Sequence, residues 1–184
     1  MVKKGLIRKQ YLLKRSKKYL NIKKSFFHPL VQLLKKNLKK KKIKIALYFP
    51  TKNELNVIKI FEVNYFNKCK FLYPVVEENG SMNFYEWKKY DVLNLNKYGI
   101  TEPLKTKKIN PDVILVPLLA YDKFKHRLGY GGGYYDRYFS KLTKLKKLFL
   151  TVGVAFSFQK YNKLPFNNKD FKLKYILTEK GLIK

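Results

Sequence analysis

The sequence predicts an α/β domain of three layers, α/β/α, with helices on both faces of a mainly parallel central sheet. Three observations carry that expectation. Short β-branched and aromatic runs alternate with segments of helical periodicity. The stretch 112–116 ends in an unbroken apolar run, the form a parallel strand takes when both faces are covered. Four glycines, at 129, 131, 132 and 133, stand directly ahead of a helical segment. In such sheets ligands bind outside the carboxyl ends of the strands, so the chemistry is expected just past 112–116.

Each element follows from local pattern. Residues 3–20 hold no proline and place Leu6, Leu13 and Leu20 seven apart, which predicts a helix with these three on its apolar stripe and Lys4, Arg8 and Arg15 on the opposite side. Pro29 suits the first turn of a second helix over 29–40, with Leu30, Leu33 and Leu34 as its apolar face and the lysine run 39–42 ending it. Residues 43–49 read as a strand closing at Pro50. Val57, Ile58, Phe61 and Tyr65, three and four apart, predict a helix over 55–66. Further strands are expected at 70–76, 82–88, 112–116, 148–155 and 171–177, and a helix over 134–146. With 184 residues, 46% of them apolar, and no Ser/Gly or Pro-rich divider, the chain is expected to form one domain over 1–184.

Charge is the second bound. Forty-two Lys+Arg against 12 Asp+Glu leave +30, which suggests nucleic acid or an anionic membrane surface. A competing account is compositional: only Arg8, Arg15, Arg127 and Arg137 are arginine, and abundant Lys, Asn, Ile, Phe and Tyr is what an AT-rich genome yields at drifting surface positions. Either way the field favours anionic small ligands, such as nucleotides and polyglutamate tails. The single cysteine, Cys69, rules out an internal disulfide and a cysteine metal cluster, and points to a reducing compartment. The first residues lack the apolar core of a signal peptide, and no run approaches the roughly 18 apolar residues a spanning helix needs. A cytoplasmic protein without a membrane partner is expected, monomeric or weakly self-associating.

Residues 127–137, Arg-Leu-Gly-Tyr-Gly-Gly-Gly-Tyr-Tyr-Asp-Arg, carry the most specific signal. Glycines at 129, 131, 132 and 133 let successive N–H groups converge on phosphate oxygens, and the following helix adds its N-terminal dipole. Arg127 and Arg137 flank this nest with bidentate donors. Tyr130, Tyr134 and Tyr135 offer flat faces for a purine or pterin, and Asp136 suits Mg²⁺. The loop is neither a Walker A motif nor a Gly-x-Gly-x-x-Gly fingerprint. A nucleic-acid-binding protein would explain the charge but not this nest, and RNA-binding signatures are missing, whereas another ATP- or sugar-phosphate-using enzyme on a related α/β fold would keep the nest. His28 and His126 are read as a helix lead-in and a solvent-facing turn, and Trp87 as packing.

These residues resemble the 5-formyltetrahydrofolate cyclo-ligase (methenyltetrahydrofolate synthetase) family. Asp112-Val-Ile-Leu-Val-Pro117, Tyr121-Asp122 and the run Arg127 to Arg137 look like its signature, and Tyr98-Gly-Ile-Thr-Glu-Pro103 and Lys4-x-x-x-Arg8 are weaker matches in the same order. The resemblance implies an enzyme using ATP and Mg²⁺ to convert 5-formyltetrahydrofolate, polyglutamylated or not, to 5,10-methenyltetrahydrofolate. It implies that Lys4 and Arg8 reach the ATP phosphates, and that Arg127, Gly129, Tyr130, Gly131, Gly132 and Gly133 wrap ATP. Tyr134 and Tyr135 are implied at ATP and folate, Glu54 and Phe49 at the pterin, and Asp136 and Asp170 at magnesium. The sequence departs from the family pattern at Val57, where a threonine is usual, and at Lys169, where a histidine is frequent.

Overall fold

A computed structural model describes residues 3–38, 42–51, 53–96, 99 and 101–184. Helix α1 (Lys4–Lys17) is followed by a 3-10 turn and helix α2 (His28–Asn37), with Pro29 in its first turn as expected. The lysines 39–41, Tyr98 and Ile100 lie outside the described residues. The strands are β1 (Lys44–Ala46), β2 (Lys70–Val76), β3 (Met82–Glu86), β4 (Leu93–Leu95), β5 (Thr101–Pro103), β6 (Val113–Pro117), β7 (Ala120–Tyr121) and β8 (Arg127–Leu128). Helix α3 (Tyr134–Lys144) then leads to β9 (Leu150–Val154), β10 (Tyr175–Thr178) and β11 (Gly181–Ile183).

Seven strands form one sheet in the order β11-β10-β9-β6-β1-β2-β3, parallel throughout except for the antiparallel edge strands β3 and β11. The side-chain alternation of the central strands separates two cores. Ile45, Val113, Leu115, Val152 and Leu177 pack under Leu30, Leu33 and Leu34 of α2. Ala46, Ile114, Val116 and Ile176 pack under Tyr138, Phe139 and Leu142 of α3 on the opposite face. The expected three layers are therefore present, and the apolar run of β6 is buried on both sides because each face is covered.

Two expectations are corrected. Leu6, Leu13 and Leu20 are not the buried stripe: they are 64%, 56% and 48% exposed. Instead Ile7, Tyr11 and Arg15, four apart, face inward. Ile7 and Tyr11 pack on Leu119, Ala120, Leu128 and Leu164, and the Tyr11 hydroxyl donates to the Lys160 carbonyl at 2.7 Å. A small docking surface around the β7–β8 hairpin, not a broad core, selects this face. The helix expected over 55–66 is two 3-10 helices, Val57–Glu62 and Asn64–Lys68. Asn56 caps the first through Ile58 N–H, Val63 between them is extended, and the buried Val57, Ile60 and Phe66 fall at multiples of three, the 3-10 period.

Candidate active site

The chain runs outward from β1 through β2 to β3, then returns to β6 beside β1 and continues in the opposite direction to β9 and β10. The reversal lies between β1 and β6, and segments leaving the carboxyl ends of those two strands must diverge, opening a crevice there. The segment after β1 carries Phe49, Thr51 and Glu54. The segment after β6 is pinned where Gln159 donates from Nε2 to the Leu118 and Leu119 carbonyls, both at 2.9 Å, and then crosses the β7–β8 hairpin into the glycine loop.

In that loop Gly131 has φ 110° and Gly133 φ 67°, backbone that side-chain-bearing residues rarely adopt. Gly133 is the N-cap of α3 with no side-chain cap, so the first-turn N–H groups remain available to an anion. Arginine and tyrosine side chains close in on the loop. Arg8 donates from Nε to the Gly129 carbonyl at 2.9 Å, and its guanidinium carbon would stand 3.3 Å from a Cβ on Gly131. Arg137 donates to the Gly132 carbonyl at 2.9 Å and to the Gly80 carbonyl at 3.3 Å, and lies over the Tyr134 ring at 4.9 Å.

Beside the loop sit two carboxylates. Asp136, in the first turn of α3, accepts on Oδ1 from Arg127 Nη2 and from the Phe171 N–H, each at 2.9 Å. Asp170 accepts on Oδ2 from Lys4 Nζ at 2.6 Å and from the Asn167 N–H at 2.8 Å. Burial pushes the Arg127 pKa down, while Asp136, Tyr135 and Asp170 oppose that push and keep the cation favourable. The other oxygen of each carboxylate accepts from no described residue. No three described His, Cys, Asp or Glu side chains group as a metal cluster. Two hard oxygen donors beside a phosphate nest nevertheless fit Mg²⁺, which takes one or two carboxylates and fills its shell with water and substrate phosphate.

On the β1 side, Glu54 is buried. Its Oε1 accepts from the Tyr130 hydroxyl at 2.8 Å, and its Oε2 from the Thr51 N–H at 2.8 Å and the Thr51 hydroxyl at 3.2 Å. Burial raises its pKa, opposed by Thr51, Tyr130 and the nearby Arg15 charge. The Tyr48 hydroxyl donates to the Leu55 carbonyl at 3.0 Å. The Tyr135 hydroxyl is buried with no hydrogen-bond partner among the described residues, as is that of Tyr73. A buried phenol left unpaired is costly, by about 1–3 kcal/mol, which marks such groups as facing a polar ligand. Phe49 stacks on Tyr73 at 4.1 Å between ring centres and meets Trp87 edge-on at 5.7 Å, forming a flat aromatic wall.

The site thus joins a glycine-rich nest, two carboxylates and an aromatic wall with a buried acid. Comparison with known proteins gives the same arrangement a context. The profile of the 5-formyltetrahydrofolate cyclo-ligase family matches residues 1–179. The chain belongs to that family. The 5-formyltetrahydrofolate cyclo-ligase of Mycoplasma genitalium is 32% identical over 188 residues, covering 96% of this chain and 98% of its own. The solved 5,10-methenyltetrahydrofolate synthetase of Aquifex aeolicus superposes with a TM-score of 0.75 at 32% identity, covering 98% of this chain and 92% of its own. That of Mycoplasma pneumoniae gives 0.70 at 29%, covering 96% and 98%. The protein is therefore an enzyme, a cyclo-ligase.

Set against a cyclo-ligase reading, the fold brings Lys4, Arg8, Arg127, residues 129–136 and Asp170 together around one loop, and joins Glu54 to it through Tyr130. Phe49 belongs to the aromatic wall rather than to that polar cluster. Val57 sits fully in the apolar core, where a threonine hydroxyl would need a partner, and Lys169 is exposed beside Asp170. His126 is corrected: it does not face solvent but bonds the fully buried Asp122 at 3.0 Å and stacks on Phe166 at 4.0 Å. Sequence reasoning missed Arg15 as a site residue. It set Arg15 beside Lys4 and Arg8 on one side of the helix, but nothing in the helical period said that this side is buried.

Proposed function

We propose that the chain, as a single domain over 1–184 and in the cytoplasm, converts 5-formyltetrahydrofolate to 5,10-methenyltetrahydrofolate with ATP and Mg²⁺. The observation that carries this is the Tyr130 bridge, which places a glycine nest with cationic neighbours against a buried carboxylate with aromatic walls. In the reaction, the formyl oxygen takes the terminal phosphoryl group of ATP with release of ADP. The N10 amine then attacks the activated carbon and loses its proton, and phosphate departs to leave the methenyl bridge. Glu54 accepts hydrogen bonds from the pterin's N–H groups and the Tyr135 hydroxyl supplies a further polar contact, fixing the ring so that N10 faces the formyl carbon. Lys4, Arg8 and Arg127 balance charge at the transferring phosphate, with no protein nucleophile involved. Asp136 and Asp170 would hold Mg²⁺, which supplies charge neutralisation on the phosphates. The surplus lysines favour polyglutamylated folate by attraction at a distance.

The deciding assay follows methenyl product absorbance with purified protein and 5-formyltetrahydrofolate. Absorbance is expected to rise only with ATP and Mg²⁺ together. A flat trace with both present, from protein that is folded by circular dichroism, would refute the reading. Salt-sensitive binding of an oligonucleotide in place of joint stabilisation by folate and MgATP would favour the nucleic-acid alternative.

A further inference from the structure

All four arginines of the chain meet residues 129–137, although lysine outnumbers arginine heavily everywhere else. Arg8 and Arg127 bind anions in the proposed function, and Arg137 is held on the Gly132 and Gly80 carbonyls. The fourth, Arg15, has a different task. It is 1% exposed, and a guanidinium that water cannot reach must be matched by protein groups to persist. Its Nη2 donates to the Tyr130 hydroxyl, and its guanidinium lies 5.6 Å from the centre of that ring. A hydroxyl has a single proton, so a Tyr130 oxygen that accepts from Arg15 turns its own proton to Glu54 Oε1, 2.8 Å away. The groups around Glu54 come from four segments: Arg15 of α1, Tyr48 and Thr51 after β1, Tyr130 of the loop and Tyr135 of α3. Among the described residues, Arg15 is the one cation in this group.

Resting on the proposed function, we propose that Arg15 is a positioning residue which, through the Tyr130 hydroxyl, ties the glycine loop to Glu54 and so makes nucleotide and folate binding mutually reinforcing. A phosphate held by the loop N–H groups fixes Tyr130 and with it Glu54. A pterin held by Glu54 fixes Tyr130 and with it the loop. The coupling must be equal in both directions, because it is one free energy.

Two variants test this. Tyr130→Phe keeps the ring and removes the hydroxyl at a residue 42% exposed, where no core cavity opens. Arg15→Lys keeps the charge and removes the fork. Calorimetry measures 5-formyltetrahydrofolate affinity with and without Mg²⁺ and a non-hydrolysable ATP analogue. In the wild type the analogue is expected to tighten folate by roughly 5- to 150-fold. In Tyr130→Phe that factor falls to about 2 or less, and Arg15→Lys lies between. Folate affinity falls as pH drops through the Glu54 pKa, and losing the hydroxyl or the fork raises that pKa, so the acid limb moves to higher pH in both variants. A purely structural role for Arg15 would leave that limb in place. An unchanged coupling factor in Tyr130→Phe, or a wild-type factor near one with both ligands bound, overturns the proposal alone. Failure of the wild type to bind either ligand overturns the proposed function and this proposal with it.

Discussion

The two ends of the parallel sheet are both rich in cations, and they treat them in opposite ways. At the amino ends a cleft of about 710 Å³ is lined by Lys44, Lys70, Lys107, Lys108, Lys146 and Lys147, with Leu148 beside them 95% exposed. The ion pairs there are open: Lys70 meets Glu86 at 2.7 Å and Lys44 meets Asp112 at 4.0 Å, with each lysine side chain about a third exposed (32% and 35%). At the carboxyl ends the cations include arginines buried against directed acceptors: Arg127 on Asp136 and Arg15 on Tyr130. Net charge alone does not distinguish these ends. Burial and fork geometry do, and they explain why a lysine-biased composition keeps arginine at these positions.

Substitutions sharpen that contrast. The largest effect is expected from Arg127→Ala, which leaves Asp136 without its cation and, in the proposed function, removes a donor to the transferring phosphate: turnover falls by about 10²–10³-fold while far-ultraviolet circular dichroism is kept. An unaltered rate would place Arg127 outside the phosphate site. Next, Glu54→Gln should weaken 5-formyltetrahydrofolate by roughly 10- to 100-fold and the ATP analogue by no more than about 3-fold, as for loss of a charge-assisted hydrogen bond. Equal weakening of both ligands would make Glu54 structural. Asp136→Asn should raise the Mg²⁺ concentration for half-maximal activity on the order of tenfold, and unaltered metal dependence would remove Asp136 from the metal site. At the other end, Lys70→Gln should shift stability by only about 0–1 kcal/mol in urea titration and turnover by less than about 2-fold. A large loss of turnover there would erase the contrast between the ends.

How much of this was legible in the sequence follows from which force decides each feature. Strand 70–76 and the α3 start at Tyr134 coincide with their expected bounds, because a run of aromatic and aliphatic residues and a glycine cluster ahead of a helix are local signals. The glycine loop was legible for the same reason. The buried face of α1 was not, since helical period fixes which residues share a side but not which side docks. Ile7 and Tyr11 win because the hairpin 120–128 offers them a seat, and nothing within residues 3–20 encodes that hairpin. The segment 55–66 failed because three- and four-residue spacings overlap, and the extended Val63 that splits it carries no proline or glycine mark. His126 failed because its partner Asp122 is buried only after Leu164 N–H has closed over it at 3.1 Å.

Helix α1 also sets a schedule. It precedes every other described element, yet Tyr11 bonds Lys160, Arg8 bonds Gly129 and Lys4 bonds Asp170, separations of 149, 121 and 166 residues. Such distant pairings cannot begin until residues 129, 160 and 170 have each been synthesised. During translation the helix must wait with Ile7 and Tyr11 uncovered until the hairpin 120–128 is made, and a nascent chain halted before residue 160 would still lack Leu164 of that seat, the Lys160 carbonyl that Tyr11 bonds and the Asp170 that Lys4 bonds. The cluster around the glycine loop is in this sense completed only after α1 has waited for the segments it docks on.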